Sequence, residues 1–161
     1  MGFFRHRQSG ATVVFMNTHF DHRGEVAREE SARLLLRLAR VRAWAGEPVS
    51  EPSPPLFLSG DFNSTPAGRA YKVLTEKDSG MRDISDLVPE DAKYGNQEIT
   101  FTSFGSPNEQ PSRIDFLFAR GAGNIRFSTF GILPNRFDDK VYLSDHRPVV
   151  ADLEIPVPAT M

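Results

Sequence analysis

Apolar and polar positions first alternate in two short runs, Phe3 to Arg7 and Ala11 to Thr18, on either side of a Gln8-Ser9-Gly10 turn. Such runs bounded by turn residues predict a pair of strands. From Gly24 to about Ala45 the period lengthens to that of a helix. Ala27, Ser31, Leu34, Leu35, Leu38, Val41 and Ala45 fall along one face, with arginines and glutamates opposite. Gly46 and Pro48 end this helix, and "GEPVSEPSPP" reads as a proline-rich surface connection. "LFLS" then makes a short, wholly apolar strand that runs into "GDFNSTPAG", where Thr65 caps and Pro66 opens a second helix over Ala67 to Leu74. Asp78 to Asn96 reads as irregular. "ITFTSF", "RIDFLFA", "IRFSTFGIL" and "RPVVADLEI" read as strands, with "PNEQP" a loop between the first two and "PVPATM" a tail. Helices placed between strands predict a mixed α/β domain over residues 1–155, followed by a tail over 156–161.

Composition narrows the function more than the fold. The chain has 161 residues, 39% hydrophobic and 25% charged, which suits one domain with a real core. A formal net charge of -2 does not favour nucleic acid as a partner, although a local basic groove remains compatible with it. Lys72, Lys77, Lys93 and Lys140 are the only lysines, so the positive charge is mostly arginine, whose fork suits phosphate. The absence of cysteine excludes disulfides and thiolate metal sites. No apolar run reaches membrane-spanning length, and "MGFFRHRQSG" has no signal-peptide pattern, so a cytoplasmic location is the default expectation.

Four segments place unusual polar groups at predicted strand ends: "NTHFDH" (Asn17 to His22), "SGDFNSTP" (Ser59 to Pro66), "RIDF" (Arg113 to Phe116) and "SDHRP" (Ser144 to Pro148). Singly, each has a plain reading as a turn or a strand entry. Asp115 is harder to set aside, because a carboxylate inside an apolar strand requires a partner. Together the segments supply histidines, carboxylates and an amide, a set suited to attack on phosphorus. "THFDHRG" tempts one toward zinc, but Asn17 stands where the first histidine of a metallo-β-lactamase-like motif would fall. His6, His19, His22 and His146 are also too few for that site. A calcineurin-like dimetal centre would need a second aspartate after Asp61, where the chain has Asn63-Ser64. "NST" at Asn63 matches a glycosylation acceptor, but a glycan there would block the candidate site.

In this order, Asn17-Thr18-His19, Gly60-Asp61-Phe62-Asn63, Arg113-Ile114-Asp115-Phe116-Leu117-Phe118 and Ser144-Asp145-His146-Arg147-Pro148-Val149 resemble the endonuclease/exonuclease/phosphatase superfamily. The likeness runs from about Phe3 to Ile155 and is nearest to its poorly characterised bacterial and fungal branch. It implies the deoxyribonuclease-I-like fold, a β-sandwich flanked by helices in four layers, α/β/β/α. It also implies a metal-dependent phosphoester hydrolase, a phosphodiesterase or phosphatase, using Mg²⁺ or possibly Mn²⁺. In that family His19 would contact the scissile phosphate and Asp61 would orient or deprotonate the attacking water. Asn63 would donate to a phosphate oxygen, Asp145 would hold the metal, and His146 would act on the phosphate, oriented by Asp115. Asp21 and His22 would support the strand-to-helix turn.

The same resemblance implies an N-terminal portion of about a hundred residues carrying the principal metal-binding glutamate, and Met1 to Met16 contains no acidic residue. The expectation is therefore a C-terminal part of such an enzyme, binding metal poorly by itself, with apolar sheet surface exposed near Phe3, Phe4, Val13 and Phe15. The competing expectation is a catalytically incomplete remnant that serves as a non-enzymatic binding module. The phosphoester substrate is not legible at this level, nucleic acid being one possibility among several.

Overall fold

The computed structural model describes residues 1–40 and 53–157. The predicted end of the first helix at Val41 to Pro48, most of the proline-rich connection and the end of the tail lie outside the described residues. The elements are β1 (Gly2–Arg5), β2 (Thr12–His19), α1 (Glu25–Ala39), β3 (Leu56–Asp61), α2 (Arg69–Thr75), β4 (Met81–Asp83), β5 (Lys93–Gly95), β6 (Asp115–Arg120), β7 (Arg126–Ile132) and β8 (Val149–Glu154). They form a five-stranded sheet in the order β1-β2-β3-β6-β4 and a three-stranded sheet in the order β5-β7-β8. β2 and β3 run parallel, joined through α1, whereas β6 runs antiparallel to β3.

Side-chain alternation divides the core between the two faces of the larger sheet. Val14 and Met16 of β2, Leu56 and Leu58 of β3, and Phe116 and Phe118 of β6 point to one face, where Ala32 and Leu36 of α1 and Ala70, Val73 and Leu74 of α2 cover them. Phe57 and Ala119, with Val13 and Leu117, point to the other face and meet Phe127, Phe130 and Ile132 of β7. β3 is covered on both faces, which is why "LFLS" shows no polar alternation. Phe62, Phe116, Phe118 and Phe130 are fully buried, each contributing about 1.5–3 kcal/mol relative to exposure. Two sheets flanked by helices match the fold class that the motifs imply.

Local departures have identifiable causes. α1 buries Ala32 and Leu36, with Leu35, Leu38 and Ala39 partly covered, while Leu34 of the expected stripe is 48% exposed. Three consecutive leucines leave the helical phase open, and the small Ala32 decides it by permitting close packing. α2 starts at Arg69 and not at Ala67, because Pro66 and Ala67 form a turn closed by Gly68 N–H donating to Thr65 O at 2.8 Å. "ITFTSF" makes only isolated bridges, since Ser103 and Phe104 adopt left-handed φ values of 47° and 54°. The irregular stretch contains the short strands β4 and β5. Near the N-terminus Phe4 and Phe15 are 55% and 47% exposed, whereas Phe3 packs against the helix-side core and Val13 against the inter-sheet core. No helix among the described residues is long and apolar enough to cross a membrane.

Candidate active site

Because β2 and β3 are parallel and β6 returns against them, the C-terminal ends of β2 and β3 and the start of β6 lie at one edge of the larger sheet. His19, Asp61 and Asp115 are direct register partners across these three strands. They occupy one pleat row on the face that looks toward the smaller sheet. The chain entering β8 brings His146 over this row. Its Nδ1 lies 2.8 Å from Asp115 Oδ2, and its Nε2 lies 3.9 Å from Asp61 Oδ2. His19 Nε2 approaches the same Asp61 oxygen at 3.3 Å. Asp61 thus stands between two imidazoles, one of them backed by a second carboxylate. His19 is exposed, while Asp61, Asp115 and His146 are mostly covered.

The backbone fixes Asp61 firmly. Gly60 has φ +148°, and a Cβ there would fall 1.9 Å from Thr18 O, so only glycine lets β2 and β3 approach this closely. Past the strand, Asn63 N–H donates to Asp61 Oδ1 at 2.7 Å, a turn that holds Asn63 at the left-handed φ of 46°. The Asn63 amide Nδ2 donates to Phe20 O at 2.9 Å and lies 3.4 Å from Asp61 Oδ2. Burial, and secondarily the like charge of Asp115, push the Asp61 carboxyl above its ordinary range, against the Asn63 N–H, His146 and His19, which pull it down.

A layer of polar groups not evident from the sequence positions the His146 segment. Thr100 Oγ1 accepts from Ile114 N and Asp115 N at 2.9 and 3.1 Å, and Thr100 O accepts from Arg147 N at 2.6 Å. Thr102 donates through N and Oγ1 to Asp145 O, at 2.7 and 2.9 Å. Buried Asn135 donates to Thr102 Oγ1 and Ser144 O at 2.7 and 2.8 Å. The threonines therefore splint the Asp115 strand to the His146 segment. Their only signal was polar alternation within "ITFT", which reads equally well as an ordinary strand. The His146 ring also rests against Phe101, with centroids 5.0 Å apart.

The remaining expected residues are placed as follows. The Asp145 carboxylate lies 3.4 Å from Ser144 Oγ and is not part of the Asp61, Asp115 and His146 group. Those three each offer a ligand atom, all within 4.8 Å of one another, the group among the described residues that could hold an ion. Asp21 Oδ1 accepts from Arg23 N and Gly24 N at 2.7 and 2.5 Å, closing the turn into α1, and these N–H groups hold its carboxyl below the ordinary range. His22 sits beside Arg23 Nε at 3.0 Å, away from the row. A cleft of about 330 Å³ opens over the row, lined by Asn17, His19, Asp61, Asp115, Arg147 and Val149 among others. In its floor Asn17 Nδ2 donates to Ser59 Oγ at 3.0 Å.

Comparison with known proteins gives matches to one family and one fold. The model of a family described as Endonuclease/Exonuclease/phosphatase matches residues 4–146. An endonuclease/exonuclease/phosphatase structure from Bacteroides vulgatus is 33% identical with a TM-score of 0.72, over 96% of this chain and 54% of that one. A mannosyl-6-phosphatase from Bacteroides thetaiotaomicron is 28% identical with a TM-score of 0.73, over 96% and 55%. The human nocturnin catalytic domain with bound sulfate, 20% identical with a TM-score of 0.66 over 94% and 50%, shares the fold. No curated protein matches. The chain spans about half the length of these solved structures.

Proposed function

We propose, from the premise that this chain belongs to the endonuclease/exonuclease/phosphatase family, that it carries the phosphate-handling residues of a metal-dependent phosphoester hydrolase. The observation that carries the reading is Asp61 Oδ2 standing 3.3 Å from His19 Nε2 and 3.9 Å from His146 Nε2. Asp61 orients the attacking water and takes its proton, a role favoured by a carboxyl held above its ordinary range. His146 presents Nε2 to the phosphate while Asp115, bonded to Nδ1, fixes the ring and its tautomer. His19, exposed at the cleft mouth, contacts the scissile phosphate and supplies a proton to the leaving oxygen. Asn63 donates to a phosphate oxygen once its amide turns from Phe20 O.

The donor set fits a hard cation: carboxylate oxygens of Asp61 and Asp115 lie within one group, and Asp145 follows directly before His146. Mg²⁺ or Mn²⁺ held by Asp145, whose carboxylate stands outside that group, would neutralise the non-bridging oxygens during displacement. Among the described residues no glutamate joins the group. In this reading the chain is the C-terminal part of a longer hydrolase site, and it holds metal weakly by itself. The substrate is a small phosphoester in preference to nucleic acid, a choice supported by the net charge of -2 and by the likeness to a mannosyl-6-phosphatase.

The test is turnover of chromogenic phosphomonoesters and phosphodiesters by the purified chain with Mg²⁺ or Mn²⁺, beside Asp61→Ala. Slow, metal-dependent turnover that disappears in Asp61→Ala is expected. Equal rates in both proteins, or none from the folded chain, would overturn the reading.

A further inference from the structure

Arg147 enters the cleft from the segment leading into β8 and is the one lysine or arginine lining it. Its Nε is buried and has no hydrogen-bond partner. The backbone beneath the side chain is fixed twice: Arg147 N–H donates to Thr100 O at 2.6 Å, and the following Pro148 restricts Arg147 to extended conformations. Arg113 also has a buried Nε without a partner, and the contrast is instructive. The Arg113 fork is engaged, with Nη2 donating to Asp83 Oδ2 at 2.8 Å and Ser85 Oγ at 2.9 Å, and its plane lies 4.8 Å over Phe116. Arg147 has no such carboxylate, hydroxyl or ring partner among the described residues. A buried donor left unmade is destabilising, and Arg147 is among the residues lining a cleft that can admit a ligand.

The cleft also has an electrostatic need that Arg147 meets. Asp61 and Asp115 stand side by side in it and repel an incoming anion, and a histidine is a cation only when protonated. A guanidinium stays charged throughout and matches two non-bridging oxygens with parallel N–H donors.

We propose that Arg147 is the substrate-phosphate clamp of the cleft, taking two non-bridging oxygens of the phosphoester through its guanidinium fork. The proposal deepens the hydrolase reading and rests on it for the identity of the anion. Arg147 is thus a binding group that sets substrate affinity, while Asp61 and the two histidines do the chemistry.

The probe is inorganic phosphate added to the intact chain. Arginine Nε–H resonances are followed by nitrogen-proton NMR, with Arg147→Lys used for assignment. The Arg147 signal is expected to move saturably while the Arg113 signal stays in place. Calorimetry should show phosphate bound about ten-fold more weakly by Arg147→Gln, and Arg147→Lys should recover part of the loss, a factor typical of one good charged contact. In the turnover assay Arg147→Gln should raise KM about ten-fold at nearly unchanged kcat. An unmoved Arg147 signal, wild-type phosphate affinity in Arg147→Gln, or a loss confined to kcat would each overturn the proposal. Arg147-dependent phosphate binding in a chain with no turnover would sink the hydrolase reading and leave this one standing. Turnover with Arg147-independent phosphate binding would do the reverse. If Arg147→Gln does not fold, the wild-type titration decides alone.

Discussion

Asp115 Oδ2 lies 2.8 Å from His146 Nδ1, although Asp115 opens β6 and His146 comes 31 positions later, in the segment that precedes β8. The pair makes His146 a group of fixed orientation, with Nε2 free to face a substrate. His146→Ala should lower kcat by about 10²–10⁴-fold. Asp115→Asn should do nearly the same by releasing the ring and its tautomer. The sharper check is the double variant. Adding Asp115→Asn to His146→Ala should cost little more, because one unit has already been lost. Additive losses would show that Asp115 acts independently.

The pH profile tests Asp61. Its carboxyl is raised above the ordinary value of 3.8 by burial first and by the Asp115 charge second. A base must be ionised, so kcat/KM should rise with pH through an inflection above 3.8. Asp115→Asn removes the like charge and should move that inflection downward, even as the overall rate falls. An inflection that stays put would remove Asp115 from the electrostatics of Asp61.

Stability answers to a different carboxylate. Asp83 is buried and receives Arg113 Nη2 at 2.8 Å and Tyr71 OH at 3.1 Å. Burial raises its carboxyl, with Arg113 opposing. Between the unfolded value near 3.8 and the raised folded value, the native state holds a proton that the unfolded chain has released, so this contribution to stability falls as pH rises through the window. Arg113→Leu leaves the charge unpaired and should destabilise by about 3–5 kcal/mol at neutral pH. Urea unfolding should show the deficit shrinking in mild acid, where Asp83 takes up its proton. A pH-independent deficit would assign the loss to packing against Phe116 and Phe130.

Gly60→Ala combines an unfavourable φ of +148° with a Cβ placed 1.9 Å from Thr18 O. Destabilisation on the order of 3 kcal/mol or more is expected, visible in thermal unfolding. A mild effect would mean that β2 and β3 separate easily at the site.

Phe4 and Phe15 form an exposed aromatic pair with ring centroids 5.9 Å apart, and Phe15 continues the row onto Phe57 at 5.2 Å. Phe4→Asp should reduce concentration-dependent self-association in sedimentation while changing stability by no more than about 0.5 kcal/mol. An unchanged sedimentation profile would show that this patch does not mediate contacts.

Much of the fold was legible because its signals are local. "LFLS" reads as a central strand from apolarity alone, and "RIDFLFA" and "IRFSTFGIL" fall on β6 and β7. The α1 face is displaced by one residue from the expected stripe because Leu34, Leu35 and Leu36 admit more than one phase. α2 begins two residues later than expected because Thr65 and Pro66 serve a turn equally well. β4 and β5, three residues each, are too short to carry a period. Of the candidate site, strand-end carboxylates and histidines were visible as types. Thr100, Thr102 and Asn135 were not, because hydrogen bonds spanning 9 to 43 positions leave no periodic trace. Arg147 was visible only as part of "SDHRP"; its unpaired Nε is a property of the packed chain.

The register row of His19, Asp61 and Asp115 bears on how this scaffold can be varied. Neighbouring strands in a sheet keep a separation of about 4.8 Å, so the spacing of these groups is set by backbone pairing and is indifferent to the length of the surrounding loops. The loop tips at Phe104 and Phe137, residues 57% and 56% exposed, can therefore be exchanged with the reacting row left in place, provided that Thr102 and Asn135, which hold the His146 segment, are kept. An engineer seeking a new specificity on this chain has a fixed bench and replaceable walls.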